Sequence, residues 1–260
     1  MIRVGIGGWT FAPWRGPFYP KGLPHKDELA FAAGRLTAIE INGTFYRTQS
    51  PASFAKWRDE TPVGFVFCLK GHRFVTNRKV LAEAGPGIQT FLGSGLTELG
   101  PKLGPINWQL AATKRFDPDD IEAFLALLPK QKDGLPLRHA IEVRHESFAV
   151  PEFVTLARRH GVAIVFADSA DYPAIPDQTS DFVYGRLQGC REAEPDGYAG
   201  DELDAWAERA KAWGAGGVPG DLALVGPAVP GTKGRDVFCF FIAGDKVRAP
   251  LAAEALIRRL

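Results

Sequence analysis

Eight short apolar runs constrain the fold of this 260-residue chain more than any single motif does: Arg3 to Gly7, Ala38 to Asn42, Phe65 to Lys70, Ile106 to Leu110, Ala140 to Arg144, Ala163 to Asp168, Phe182 to Gln188 and Val237 to Ile242. Each has the length of one strand and is apolar at both parities, as parallel strands covered on both faces are. The segments between them carry helix signals. Ser50-Pro51 sets an N-cap residue before a proline at the first helical position, and the helix continues through Trp57. Asp117-Pro118-Asp119-Asp120 repeats the device and opens an apolar stripe of Ile121, Phe124, Leu125 and Leu128. Pro151-Glu152 opens a helix that stops at Gly161, and Asp201 to Trp213 stops at Gly214, both glycines fitting the left-handed position past a helix end. Pro250 to Leu260 reads as an amphipathic closing helix.

Strands alternating with helices in a chain of this length predict an α/β fold, a single TIM-type (β/α)8 barrel over residues 1–260 with its site at the C-terminal mouth. An open doubly wound sheet fits less well. Its Gly-rich turn has one candidate, Gly5-Ile6-Gly7-Gly8-Trp9, which lacks the third glycine and runs into a long aromatic loop, Trp9 to Pro24. Gly226 to Lys233 resembles a phosphate loop only superficially: Thr232 precedes Lys233, the reverse of the motif, and a strand follows.

A composition of 45% hydrophobic and 23% charged residues excludes a disordered chain. The formal net charge of +1 argues against coating nucleic acid by bulk electrostatics. That figure conceals an asymmetry: residues 1 to 115 hold 15 Lys and Arg against 7 Asp and Glu, whereas residues 116 to 260 hold 16 against 23. The three cysteines, Cys68, Cys190 and Cys239, are widely spaced and read as buried apolar groups in a reducing compartment. No stretch approaches the roughly 18 apolar residues of a membrane span, so the expectation is a cytoplasmic protein without membrane partners.

Several runs end in polar residues, and in a barrel enzyme the C-terminal strand ends build the site. Glu40 and Asn42, Lys70, Gln109, Glu142 and Arg144, Asp168, and Arg186 and Gln188 occupy such ends. Residues two apart share a strand face, so Glu40 with Asn42, Glu142 with Arg144 and Arg186 with Gln188 point the same way, toward the interior. Three acids and three bases make a self-neutralised cluster feasible; buried charges cost several kcal/mol each unless paired, so structural salt bridges would leave the same pattern. In the functional reading Glu40 and Glu142 are acid/base groups, Lys70, Arg144 and Arg186 hold an anion, and Asp168 orients one of the bases.

Histidine spacing offers no zinc motif, although His145 beside Arg144 is within reach of the mouth; neither a metal nor an organic cofactor is expected. Lys70 to Lys79 contains Lys70, Arg73, Arg78 and Lys79, either a solvated loop or an anion-binding rim. With Tyr46, Arg47, Trp9 and Trp14 it would form a basic, aromatic half-ring suited to sugars, nucleotides or unpaired bases.

Gly5-Ile-Gly-Gly-Trp9, Trp14-Arg-Gly-Pro-Phe-Tyr-Pro20, Glu40-Ile-Asn-Gly-Thr-Phe-Tyr-Arg47, Trp57 before Thr61-Pro62, Phe65 to Lys70, Gln109 and Ile141-Glu-Val-Arg-His145 together resemble the YecE-like family, over essentially the whole chain. The resemblance implies a TIM barrel and no established activity; the fold's likeness to endonuclease IV and sugar isomerases is an analogy. Three positions depart from the family pattern. A common histidine reads Asn77, Arg-Leu-His-Gly reads Arg186-Leu-Gln188-Gly189, and Tyr-Phe-Asn-Asn-Asp reads Phe240 to Asp245. Each change removes a possible acid/base group or ligand.

Two functions remain open from sequence. One is an enzyme, a hydrolase or isomerase acting on a small anionic, phosphorylated, nucleotide-like or sugar ligand; the other is a non-catalytic protein that binds nucleic acid or a partner through the basic aromatic rim.

Overall fold

A computed structural model describes residues 1–229 and 233–260, so residues 230–232 of the Gly226 to Lys233 segment lie outside the described residues. Its eight barrel strands coincide with the eight apolar runs: β1 (Ile2–Gly7), β2 (Ala38–Ile41), β3 (Val66–Lys70), β4 (Leu103–Gln109), β5 (His139–Glu142), β6 (Ala163–Asp168), β7 (Phe182–Leu187) and β8 (Asp236–Phe241). Each pairs in parallel with its sequence neighbours, and β8 pairs with β1, closing the barrel. The fold is thus the expected α/β, TIM-type one.

The crossovers carry α1 (Glu28–Ala33), α2 (Gly43–Tyr46), α3 (Pro51–Asp59), α4 (Arg73–Thr76), α5 (Gly85–Leu92), α6 (Pro118–Ala126), α7 (Pro151–His160) and α8 (Gly200–Gly214), and α9 (Ala249–Ile257) follows β8. The caps explain several boundaries. Ser50 Oγ accepts from the Ser53 N–H (3.2 Å), and Asp117 Oδ1 accepts from the Asp120 N–H (3.2 Å). Gly161 ends α7 in the left-handed region (φ 66°). Gly214 does not play that part for α8: it lies inside the helix, and Gly216 takes the left-handed conformation (φ 90°), its N–H bonding the Trp213 carbonyl (2.9 Å). The helix runs past the first glycine because a glycine tolerates helical angles too.

One crossover departs from strict alternation. No helix among the described residues joins β6 to β7, where Pro173 and Pro176 break any helical run. Ile175 fills the helical layer instead, and the buried Asp177 accepts from the backbone N–H groups of Val225 (2.8 Å) and Gly226 (2.9 Å).

Alternation along each strand divides the interior from the helical layer. Ala38, Val66, Cys68, Ala140, Ala163, Val165, Phe182, Tyr184, Phe238 and Phe240 pack together inside the barrel; Ile39, Phe67, Trp108, Ile141, Phe166 and their neighbours face the helices. At the N-terminal end Asp236 pairs with Arg138 (2.8 Å) and the Met1 amine (3.1 Å), and Arg138 lies over the rings of Phe182 and Phe238. The barrel therefore has an ionic plug at the end away from the mouth as well.

Candidate functional site

Above the apolar layers the inward positions turn polar. Glu40 on β2, Lys70 on β3, Asn107 and Gln109 on β4, Glu142 on β5 and Arg186 on β7 converge at the C-terminal end, and all are buried. Arg186 is the centre of the group. Its Nη1 donates to both oxygens of Glu142 (2.8 Å each), and its Nη2 donates to Glu40 Oε1 (3.1 Å). The remaining carboxylate capacity is also taken: Tyr184 Oη donates to Glu40 Oε2 (2.6 Å), Gln109 Nε2 to Glu142 Oε1 (2.7 Å) and Asn107 Nδ2 to Glu142 Oε2 (3.0 Å). Arg144, just past β5, adds Nε to Glu142 Oε1 (3.1 Å) and stacks over the Tyr172 ring (4.4 Å).

The electrostatics follow from that geometry. Burial works against the Glu142 charge, but Arg186, Arg144 and Lys70 outweigh it and hold the carboxyl at about 2. The two glutamates raise the pKa of Arg186 despite its burial. Lys70 is treated differently. No hydrogen bond or ion pair reaches its Nζ among the described residues; it lies 4.5 Å from the centroid of the Phe45 ring, and burial together with the Arg186 charge pushes it down to about 8.

The Lys70 shift makes a stability prediction. Folded protein releases this proton near pH 8, the unfolded chain only near 10.5, so unfolding takes up a proton between the two and stability rises with pH there. Lys70→Met should stabilise the protein by about 3 kcal/mol at pH 7, with the gain fading between pH 8 and 10.5. Urea unfolding of both proteins across that range measures it, and a gain independent of pH would refute the assignment.

A cavity of about 510 Å³ opens above this floor, on the β1, β2 and β8 side. Its lining contains four cations, Arg47, Lys70, Arg186 and Lys246, the rings of Trp9, Trp14, Tyr46 and Trp57, and no carboxylate. Gly7 lets the Asn42 amide in: a β-carbon there would stand 2.6 Å from Asn42 Nδ2. Trp9 is set edge-on against Trp57 (5.2 Å), and Tyr19 Oη donates to the Trp9 carbonyl (2.6 Å), fixing the strand-to-loop turn. Among the described residues, three buried polar atoms at this end lack a protein partner: Arg186 Nε, Asn107 Oδ1 and Gln188 Nε2.

Of the residues singled out from sequence, Glu40, Lys70, Gln109, Glu142, Arg144 and Arg186 come together in the floor, and Trp9, Trp14, Asn42, Tyr46 and Arg47 line the cavity. Trp14 is buried in a small aromatic core with Phe11, Phe18 and Tyr19, and donates Nε1 to the Lys246 carbonyl (2.7 Å). Arg73 stays on the rim, against Tyr46 (5.9 Å) and Phe74 (5.6 Å).

Asp168 is not brought to the cluster. Ala163, Val165 and Ala167 are the inward residues of β6, so Asp168 falls on the opposite face, where Tyr198 Oη donates to its Oδ2 (3.0 Å) and burial raises its pKa. It orients none of Lys70, Arg144 or Arg186. His145 also turns away: its Nδ1 accepts from the Ser147 N–H (3.1 Å) and caps the turn at Glu146–Phe148. Sequence reasoning missed Trp57 and Lys246 as lining residues. Both lie outside the strand ends, Trp57 on a helix, and Lys246 is brought to the mouth by the loop after β8, its Nζ 4.2 Å from the Phe11 ring centroid.

Among the described residues no group of three or more His, Cys, Asp or Glu converges as around a metal ion, and no helix is long and apolar enough to cross a membrane. The cysteines are buried and free.

A family model described as "Protein of unknown function DUF72" matches residues 3–260. The UPF0759 protein YecE of Escherichia coli is 29% identical over 176 residues, 65% of this chain and 60% of YecE. The match thus spans less than two thirds of that relative's length. A DUF72 family protein from Thermotoga maritima superposes with a TM-score of 0.75 over 99% of this chain and 98% of its own, at 23% identity. One from Enterococcus faecalis gives a TM-score of 0.69 over 100% and 96%, at 19% identity. At these identities the superpositions speak to the fold alone.

Proposed function

The chain belongs to the DUF72 family of proteins of unknown function, and we propose that it is an enzyme binding a small anionic ligand, phosphorylated or nucleotide-like, in the cavity at the barrel mouth. One observation carries this reading: Arg47, Lys70, Arg186 and Lys246 line the cavity and no carboxylate does. The acids of the neighbourhood, Glu40 and Glu142, are turned into Arg186 and serve as its anchors. With Lys70 protonated, buried Glu40, Glu142, Lys70 and Arg186 with half-buried Arg144 oppose two carboxylates to three cations, leaving one positive charge for a ligand anion. The aromatic wall of Trp9, Tyr46 and Trp57 suits a sugar or planar ring attached to that anion.

Proton transfer in such a site falls to Lys70, which burial and Arg186 bring down to about 8, rather than to the fully engaged glutamates. An anion beside Lys70 favours its charged form, so binding at pH 8 to 9 takes up a proton. Calorimetric titration with inorganic phosphate, a sugar phosphate and adenosine monophosphate, in buffers of different ionisation enthalpy, tests both points. The expected result is saturable binding with proton uptake, weakened about tenfold to a hundredfold in Lys70→Met through loss of one charge-assisted contact. Binding unchanged in Lys70→Met, or absent for every anion, overturns the proposal.

A second reading rests on the rim. Tyr46 and Phe74 are 62% and 68% exposed and flank Arg73, an arrangement on which unpaired bases stack. Salt-sensitive binding of a single-stranded oligonucleotide, lost in Arg73→Ala but kept in Lys70→Met, would favour it.

A further inference from the structure

We propose that Lys70 Nζ is a nucleophile that forms an imine with an aldehyde or ketone carrying a phosphate or carboxylate group. The inference rests on the anion-binding reading of the same cavity and narrows its substrate class to anionic carbonyl compounds.

The argument begins with what surrounds the amine. Lys70 is the last residue of β3, points inward and is 7% exposed, yet it borders the open cavity. A buried ammonium normally sits on a carboxylate. Here both nearby carboxylates are consumed by other donors, Glu40 by Tyr184 and Arg186, Glu142 by Arg186, Gln109, Arg144 and Asn107. The backbone at Lys70 is fixed, since Thr44 Oγ1 donates to its carbonyl (2.7 Å), while the Phe45 ring covers one side of Nζ. What remains is a positioned amine with an apolar flank and an open side toward the ligand.

The other lysines do not combine these features. Lys102 Nζ is held by the Arg58 and Thr61 carbonyls, and Lys114 Nζ by Asp120 and the Lys79 carbonyl. Lys246 lines the same cavity but is exposed, its amine over Phe11 and Trp14, where with Arg47 it is available to a ligand's anionic group. Burial, with charge repulsion from Arg186, keeps about a tenth of Lys70 as free amine at pH 7, against well under one part in a thousand for an ordinary lysine.

The chemistry balances without a further reactant. The ammonium releases a proton; the amine lone pair on Nζ attacks the carbonyl carbon, and the carbonyl oxygen takes a proton to give a carbinolamine. As the C=N bond forms, the hydroxyl leaves with a proton as water, and the product is a protonated imine with the same charge as the starting ammonium. Arg47, Arg186 and Lys246 supply the anchor for the anionic group and stabilise none of these steps by covalent means.

Reductive trapping tests the proposal. The protein is incubated with pyridoxal 5′-phosphate or glyoxylate, reduced with borohydride, and read by intact mass and peptide mapping. The expected result is one adduct per chain on Lys70, slower in the presence of inorganic phosphate, faster as pH rises through 8, and gone in Lys70→Met and Lys70→Arg, whose folding is checked by circular dichroism. Adducts confined to Lys246 or to exposed lysines overturn the imine. So does absence of an adduct while phosphate still binds, and in that case the anion-binding reading survives. An adduct on Lys70 indifferent to phosphate leaves the imine standing and removes the anionic part of the substrate.

Discussion

Arg186→Met should destabilise the protein by about 3–5 kcal/mol at pH 7 and reverse the way its stability depends on pH at the acid end. Arg186 is 2% exposed and is the shared partner of Glu40 and Glu142, themselves 0% and 1% exposed. In the native protein the Glu142 carboxyl is held at about 2, below the ordinary 4.5. That contribution is present above pH 4.5 and is lost as the pH falls toward 2. Without the guanidinium, two buried carboxylates face each other with only Arg144 and Lys70 nearby. Their pair keeps its place only by taking up a proton, so folding binds a proton and the variant becomes more stable at pH 5 than at pH 7.5. Urea unfolding at the two pH values measures the effect. Adding Glu40→Gln and Glu142→Gln to Arg186→Met should recover part of the loss, because the two buried carboxylates deprived of Arg186 are then neutral. Equal stability of native and Arg186→Met proteins at pH 7 would show that the cluster is solvated rather than interlocked.

Gly5→Ala should cost more, above about 4 kcal/mol, and prevent accumulation of folded protein. Gly5 lies opposite Ala38 in the β1–β2 pairing, and a β-carbon there would stand 1.9 Å from the Ala38 carbonyl oxygen and 3.3 Å from the Phe240 ring. The oxygen is backbone inside a closed barrel, so no rotamer change relieves the clash. Gly8→Ala is the control. Nothing lies within 4 Å of that position, and its φ of 73° makes the cost the conformational one of roughly 1–2 kcal/mol. Comparable losses at the two sites would mean that β1 does not approach β2 so closely.

The barrel was legible because parallel strands buried on both faces leave uninterrupted apolar runs, and eight such runs fit no smaller sheet. Residue-level roles were legible only where parity was counted. Glu40 and Arg186 lie at positions of their strands that alternation turns inward, whereas Asp168 follows the inward Ala167 and faces Tyr198. Sequence also could not say which charges pair. Lys70 and Arg186 are both cations at strand ends, yet the two glutamates go to the guanidinium, whose planar fork reaches both at once, and the ammonium is left to the cavity. The basic stretch after β3 divides the same way: Lys70 enters the floor and Arg73 stays on the rim. The lining roles of Lys246 and Trp57 were not legible because a loop and a helix, not strand periodicity, carry them to the mouth.

Between the Asp236 plug at one end and the Arg186 cluster at the other lie Phe182, Phe238, Phe240 and the ring of Tyr184, whose hydroxyl reaches up to Glu40, as an apolar middle layer. That layer screens charge poorly, so the fields of both ends cross it: burial pushes the Cys68 thiol up, and Glu40 from the mouth and Arg138 from the far end both act on it.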